Sequence, residues 1–186
     1  MVIMMIEQIE QRQSDSIWFL PWAAMAFAIG YTVHGLDHLR RGMSASPPFI
    51  MGAGMVQGLV VVTAIALVAM NHRRAPQAAI VVGFGSALGF TYAHLLPTFL
   101  PGYQDSYISP PHINVTWFSW LSALTEIGTG VIFGVVGIAR LREVNNARDS
   151  VLRRRVRNMH QGGGFDPETR SDRSAADRTA AGPGSR

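Results

Sequence analysis

Four long apolar runs separated by short polar links dominate the pattern of this chain. They cover residues 17–39, 49–70, 77–98 and 115–139, and each is long enough to cross a hydrocarbon layer of about 30 Å, which takes roughly 20 helical residues. The second and fourth runs contain GLVVVTAIALVAM and IGTGVIFGVVGIA, which lack the polar stripe of a soluble helix. The pattern predicts an all-α integral membrane four-helix bundle within residues 17–140.

The two ends of the chain differ from this body. Residues 1–16 are acidic, unlike the positively charged start of a signal peptide, so we expect a retained cytoplasmic segment. Residues 141–160 predict an arginine-rich juxtamembrane helix. Residues 161–186, QGGGFDPETRSDRSAADRTAAGPGSR, lack an apolar period and predict a disordered tail.

The positive charge is concentrated after the fourth run. Residues 1–138 hold five arginines and six acidic residues, whereas residues 139–186 hold eleven arginines and six acidic residues. Arg73 and Arg74 lie between the second and third runs, and the link between the third and fourth runs has no basic residue. Because arginine-rich links tend to stay in the cytoplasm, both termini are predicted to lie in the cytoplasm. The membrane is predicted to be a cell inner membrane. Arg40 and Arg41, in the first link, are the exception.

The basic tail has two interpretations. Its arginines either enforce topology alone or bind the anionic membrane surface, where each contributes about 1 kcal/mol; the surface candidates are Arg153, Arg154, Arg155 and Arg157. The lipid bilayer is the expected partner of the chain. No nucleic acid is expected, because acidic residues dilute the basic ones.

Small residues recur at four-residue spacing in every apolar run. In lipid, such positions allow helix backbones to approach closely. They predict a close-packed bundle, within one chain or across a homo-oligomer; the pairs are Ala26 and Gly30, Gly54 and Gly58, Gly85 and Gly89, and Gly130 and Gly134.

Histidines gather at one end of the predicted bundle. His34 and His38 lie near the end of the first run, one helical turn apart, with Asp37 beside them. His94 lies near the end of the third run, and His112 precedes the fourth. The predicted topology places all four histidines at the outer membrane face, although they come from three separate stretches of chain.

Three further polar side chains interrupt the apolar runs. Tyr31 precedes His34 by about one turn, and Gln57 and Glu126 lie in the second and fourth runs. Glu126 falls roughly 17 Å below Asn114 at 1.5 Å per residue, close to the bilayer midplane. Because an ionisable group there is costly, it usually faces the bundle interior. These residues predict a polar pocket or a proton site.

The histidine group allows three interpretations. In the first, His34 and His38 bind a transition metal together with His94, Asp37 or His112, since imidazole and carboxylate suit such ions. In the second, a histidine of the first run and His94 are axial ligands of a b-type haem. In the third, the histidines are interfacial, and Asp37 pairs with Arg40 or Arg41 at the end of the first helix.

The stretch GLDHL, residues 35–39, resembles the helix signature of nickel/cobalt permeases. That resemblance implies metal binding by Asp37 and His38. The chain has Val33 and His34 where those permeases have an upstream histidine–proline pair, and those permeases have more than four spans.

Enzymatic function has little support in the sequence. The chain has no cysteine, which excludes disulfides, thiolate metal sites and iron–sulfur clusters. It has no HExxH motif, nucleophile elbow or phosphate loop. The sequence favours transition-metal or haem binding, related to transport or redox chemistry; the alternative is an accessory or assembly subunit of a larger membrane complex, without a ligand site.

Overall fold

The protein is all-helical, as predicted. The computed structural model describes the backbone of residues 2–42 and 44–162, and the side chains of residues 19–42 and 44–159. Four α-helices occur in this part of the chain, and no strand does. They are α1 (Val2–Arg41), α2 (Pro48–Ala69), α3 (Ala75–Phe90), which continues as a π-helical turn (Thr91–Leu95), and α4 (Trp117–Gly162).

All four helices contain a segment that is long and apolar enough to cross a membrane, as expected for a membrane protein. The segments are Phe19–Arg41, Pro48–Ala69, Ala75–Leu95 and Trp117–Met159. The first three agree with the predicted runs to within three residues at each end. The fourth segment extends well beyond the predicted residue 139, because α4 does not end where its apolar run ends.

The backbones of two helices touch where α3 meets α4. A Cβ atom added to Gly83 would lie 2.5 Å from the carbonyl oxygen of Gly130 and 2.6 Å from the amide nitrogen of Gly134. Nearby, Phe27 and Phe133 are fully buried and stack with ring centroids 5.4 Å apart. We call these five residues the glycine end of the bundle. Glycine is required there because the helix backbones touch.

The small-residue prediction is correct for α4 but not for α3 within the chain. Gly130 and Gly134 lie in the close contact, whereas Gly85 and Gly89 have no atom within 4 Å of an added Cβ. Gly83 makes the close approach instead. A four-residue spacing identifies one face of a helix, but the sequence does not say which face meets a neighbour.

The link between α3 and α4 folds through its own hydrogen bonds. Gln104 is buried, and its side-chain oxygen accepts hydrogen bonds from the amides of Phe99 and Leu100. Its amide nitrogen donates to the carbonyls of Tyr92 and Pro97. All the polar groups of this side chain are therefore used to hold the link against the π-helical turn.

The chain forms two compact units, residues 1–144 and 145–186. In the second unit, residues 145–162 are helical, and Gln161 and Gly162 still belong to α4. The predicted disordered tail otherwise lies outside the described residues. The surface candidates Arg153, Arg154, Arg155 and Arg157 are all exposed, and their membrane role stays a prediction.

Candidate functional site

Three of the predicted ligands meet in space. One ring nitrogen from each of His34, His38 and His94 lies within 4.8 Å of the other two. The Nε2 atoms of His34 and His38 are 3.1 Å apart, and the ring centroids of His34 and His94 are 4.8 Å apart. His34 and His94 are almost fully buried. We call these residues the histidine cluster.

The π-helical turn positions His94 in the cluster. Because a π turn widens the helix by one residue, it changes which side chain faces inward, and such turns are frequent at functional sites. The ring of His94 lies between Phe90, at 5.9 Å between centroids, and Tyr107, at 4.6 Å. The amide of Tyr107 donates to the His94 carbonyl at 2.9 Å, so the link from α3 to α4 closes over this ring.

The hydrogen bond of His94 defines its tautomer. Its Nδ1 lies 3.0 Å from the backbone carbonyl oxygen of Asp105. A carbonyl oxygen only accepts hydrogen bonds, so Nδ1 must carry the hydrogen. In the neutral ring, Nε2 of His94 then carries a lone pair.

The tautomer of His38 is defined by Ser46. Its Nδ1 lies 3.1 Å from the hydroxyl oxygen of Ser46. Ser46 donates its single hydroxyl hydrogen to Asp105 Oδ2 at 2.6 Å, so it can only accept from His38. The hydrogen of His38 therefore lies on Nδ1, and Nε2 again carries a lone pair.

His34 completes the set. Its Nδ1 lies 3.4 Å from the hydroxyl oxygen of Ser122, which donates to the Ser119 carbonyl at 2.9 Å. Ser122 therefore accepts from His34, and the neutral His34 ring also leaves Nε2 unprotonated. The 3.1 Å contact between His34 and His38 thus joins two lone pairs with no hydrogen between them. Such a contact is repulsive unless a cation lies against both nitrogens.

Asp105 holds the surroundings of the cluster together. Its two carboxylate oxygens accept hydrogen bonds from Arg41 at 2.6 and 2.8 Å, in a buried bidentate pair. The Arg41 guanidinium also lies over the Tyr107 ring, 5.1 Å from its centroid. Burial raises the pKa of Asp105, but the hydrogen bonds from Arg41 and Ser46 outweigh burial and leave this pKa below its ordinary value. Burial raises the pKa of Tyr107.

Glu126 lies behind the cluster. Its side chain is fully buried, and Oε2 is 4.0 Å from Nδ1 of His34. Neither carboxyl oxygen has a hydrogen-bond partner among the described residues. Glu126 is therefore an outer neighbour of His34, on the side of the ring opposite the cluster.

Asp37 points to a different part of the bundle. Its Oδ1 accepts hydrogen bonds from Arg40 at 3.0 Å and from Ser119 at 3.1 Å. This is the pairing that the interfacial interpretation expected. The buried Oδ2 has no hydrogen-bond partner in the described part of the chain, and Asp37 is not one of the three side chains that converge.

His112 does not join the cluster. It is exposed in the link before α4, and its φ angle is 45°. The three converging residues do not include it. A ligand role for His112 stays a prediction without a geometric basis.

A cavity of about 420 Å³ reaches all three histidines. Its wall also includes two of the predicted pocket residues, Tyr31 and Gln57. The Tyr31 hydroxyl donates to the Gly54 carbonyl at 3.0 Å, and the Gln57 amide donates to the Ser86 hydroxyl. The predicted polar pocket and the histidine cluster thus share one space, although Glu126 is not part of its wall.

The residues that orient the imidazoles were not predicted from the sequence. Asp105, Ser46 and Ser122 contact the Nδ1 side of the three rings. Asp105 could have been identified from the sequence, because it is the single charged residue in the link FLPGYQDSYISPPHIN. No feature of the sequence identifies the two serines, since serine is common in links and in membrane helices.

Comparison with protein families, with curated proteins and with solved structures finds no match to the chain.

Proposed function

We propose that the histidine cluster binds one divalent transition-metal ion. The observation that carries the proposal is the convergence of one ring nitrogen from each of three histidines to within 4.8 Å, while Nδ1 of each ring is held by a hydrogen bond. Neutral imidazole is a preferred ligand of zinc, cobalt, nickel and copper. A bound cation turns the repulsive contact between His34 and His38 into two favourable bonds.

The distance between the Nε2 atoms of His34 and His38 supports an ion of tetrahedral geometry. A tetrahedral zinc ion with Zn–N bonds of about 2.0–2.1 Å separates its nitrogen ligands by about 3.3 Å. The Nε2 atoms of His34 and His38 are 3.1 Å apart. Three protein ligands leave a fourth position open, the arrangement found in sites that bind a further ligand.

The oxygen partners behind the rings support the same proposal. Metal-bound histidines usually donate their other ring hydrogen to a carbonyl, carboxylate or water. His94 donates to the Asp105 carbonyl, and His38 reaches the Asp105 carboxylate through Ser46. The Oε2 atom of Glu126 lies 4.0 Å from Nδ1 of His34, which places a further oxygen behind that ring.

The distances favour a single ion over a b-type haem. Two axial histidines must stand on opposite faces of a porphyrin. Here His34 makes a T-shaped contact with His38 at 4.8 Å between centroids and lies equally close to His94. No gap between these rings is wide enough for a porphyrin plane.

We further propose the orientation predicted from the arginines, with both termini cytoplasmic and the cluster near the outer face of a cell inner membrane. Because the chain has no cysteine, a cysteine introduced at the exposed His112 provides the test. A membrane-impermeant maleimide should label this cysteine in intact cells. If the cysteine is labelled in opened membranes but not in intact cells, the proposed orientation is wrong.

The metal proposal is tested on the full chain purified in detergent. Equilibrium dialysis against zinc or cobalt, followed by elemental analysis, should find about one ion per chain. Metal affinity should fall by more than about 100-fold in each of His34→Ala, His38→Ala and His94→Ala. This loss exceeds the effect of removing only a hydrogen-bond partner behind a metal ligand, which is about 10–100-fold. An absorption spectrum tests haem in the same sample.

The chain offers matched controls. His72 and His112 are exposed and outside the cluster, so His72→Ala and His112→Ala should leave the bound metal unchanged. A folded wild-type protein that holds no metal contradicts the proposal and favours a proton shared between His34 and His38. A Soret band that disappears in His94→Ala favours haem.

A further inference from the structure

We propose that the cavity beside the histidine cluster binds an amphipathic small molecule, whose anionic oxygen head group takes the open metal position and whose apolar chain fills the cavity. This inference rests on the proposed metal site. It adds the class of ligand that the site receives.

The charges around the cluster favour an anionic head group. Three neutral imidazoles leave both charges of a divalent ion uncompensated. Of the carboxylates nearby, Asp105 is paired with Arg41 and Asp37 with Arg40, and Glu126 lies on the Nδ1 side of His34. An oxygen anion entering from the cavity supplies both the missing ligand and the missing charge.

The cavity wall favours an apolar chain behind that head group. Phe49, Met51, Met55 and Phe90 contribute to this wall. Two of its polar side chains are already bonded, since Gln57 donates to Ser86 and Tyr31 donates to a backbone carbonyl. A polar molecular body would find few partners, whereas a hydrocarbon chain would displace poorly bonded water.

The size of the cavity fits such a molecule. Its volume of about 420 Å³ lies within the range of about 300–1,000 Å³ typical of small-molecule sites. From His38 to Tyr31 along α1 it extends about 10 Å at 1.5 Å per residue. That length suits a medium-length acyl chain with its head group at the histidines.

Two glycines provide variants that fill the cavity. Gly54 on α2 and Gly89 on α3 line it, and an added Cβ at either position meets no atom within 4 Å. A larger side chain at these positions can therefore occupy cavity space without displacing the backbone. Gly52 and Gly85 have equally open surroundings but do not line the cavity, so they are matched controls.

The experiment uses the cobalt-loaded full chain in one detergent, because the visible spectrum of cobalt reports its ligands. Octanohydroxamate and acetohydroxamate carry the same anionic head group and differ in chain length. We expect octanohydroxamate to bind at least about tenfold more tightly, because its methylene groups leave water for the apolar wall. Spectral titration measures both affinities.

The variants separate chain binding from head-group binding. Gly54→Leu should remove most of the advantage of octanohydroxamate, leave acetohydroxamate affinity within about twofold, and leave cobalt content unchanged. Gly52→Leu should behave as wild type. If Gly54→Leu does not fold, Gly89→Leu, compared with Gly85→Leu, makes the same test.

The outcomes distinguish the two proposals. Equal affinity for both hydroxamates, or an equal loss in Gly54→Leu and Gly52→Leu, overturns the cavity proposal while the metal site stands. A wild-type protein that retains no cobalt overturns both. Octanohydroxamate binding that survives in the cobalt-free protein shows an apolar pocket independent of the metal, which also overturns the proposed link between them.

Discussion

The bundle is held together in two different ways at its two regions. At the glycine end, Gly83 touches Gly130 and Gly134 backbone to backbone, and the packing involves almost no polar group. Around the histidine cluster, a buried ion pair between Arg41 and Asp105 and a series of hydrogen bonds take the place of close apolar packing. Helices α1, α3 and α4 contribute residues to both regions.

This contrast between the two regions indicates where a functional site is expected in the molecule. Close contact of small residues is sufficient for helix association in lipid. A buried ion pair is weak evidence for stability, because the desolvation of two charges offsets much of their attraction. The buried network around the cluster is therefore better explained by the rings it orients than by the stability it adds.

Loss of the Arg41–Asp105 pair should have the largest effect. Asp105→Asn leaves the Arg41 charge buried without its counter-ion, so we expect a loss of about 3–5 kcal/mol in stability. Because Asp105 also orients His38 through Ser46, metal affinity should fall by about 10–100-fold. Thermal unfolding in detergent and metal dialysis measure the two effects.

A second ion pair provides the control. Arg140 and Glu143 are 3.1 Å apart, with side chains about a third exposed, so Glu143→Gln should lower stability by less than about 1 kcal/mol. If Asp105→Asn binds metal as tightly as wild type, the network does not orient the rings, and the contrast between the two regions loses its functional meaning.

A change at the glycine end should have a smaller and separable effect. Gly83→Ala places a Cβ 2.5 Å from the Gly130 carbonyl oxygen, and overpacking of this kind lowers stability by about 1–3 kcal/mol. The metal affinity of the folded fraction should not change. Gly85→Ala, two residues away with open surroundings, should be nearly neutral in thermal unfolding; equal destabilisation by both substitutions would contradict the assigned contact.

The smallest expected effect is the acid sensitivity of the Asp105 network. The pKa of Asp105 in the fold is below its ordinary value of 3.8. Its charge therefore stabilises the protein fully above that value, and this contribution is lost as the pH falls toward the lowered pKa. In metal-free protein, the difference in unfolding temperature between wild type and Asp105→Asn should narrow below pH 3.8; a constant difference would contradict this role for the charge.

The fold was largely predictable from the sequence. Apolar runs of membrane-crossing length require helices, because every backbone polar group must be bonded internally in lipid. The ends of the helices were less predictable. The third helix converts to a π turn at Thr91–Leu95, and α4 continues to Gly162, since no lipid boundary ends a helix whose residues still favour helical structure.

The site was predictable only in part. His34 and His38 share a face through their four-residue spacing, and His94 was expected at a similar depth. The pairing of Arg41 with Asp105, 64 residues apart in the chain, has no local signal. The sequence predicted the pairing of Asp37 with Arg40 as one alternative, but it did not indicate that Ser119 also bonds Asp37 while the three imidazoles converge without it.

A four-helix membrane bundle with histidines near one end follows from the amino-acid sequence, because hydrophobic length and helical period are local properties of the chain. The tertiary structure alone decided which helix faces meet, which histidines converge and which nitrogen each of them presents. These features depend on contacts between distant residues, and one hydrogen bond from the link between α3 and α4 is enough to define the tautomer of His94.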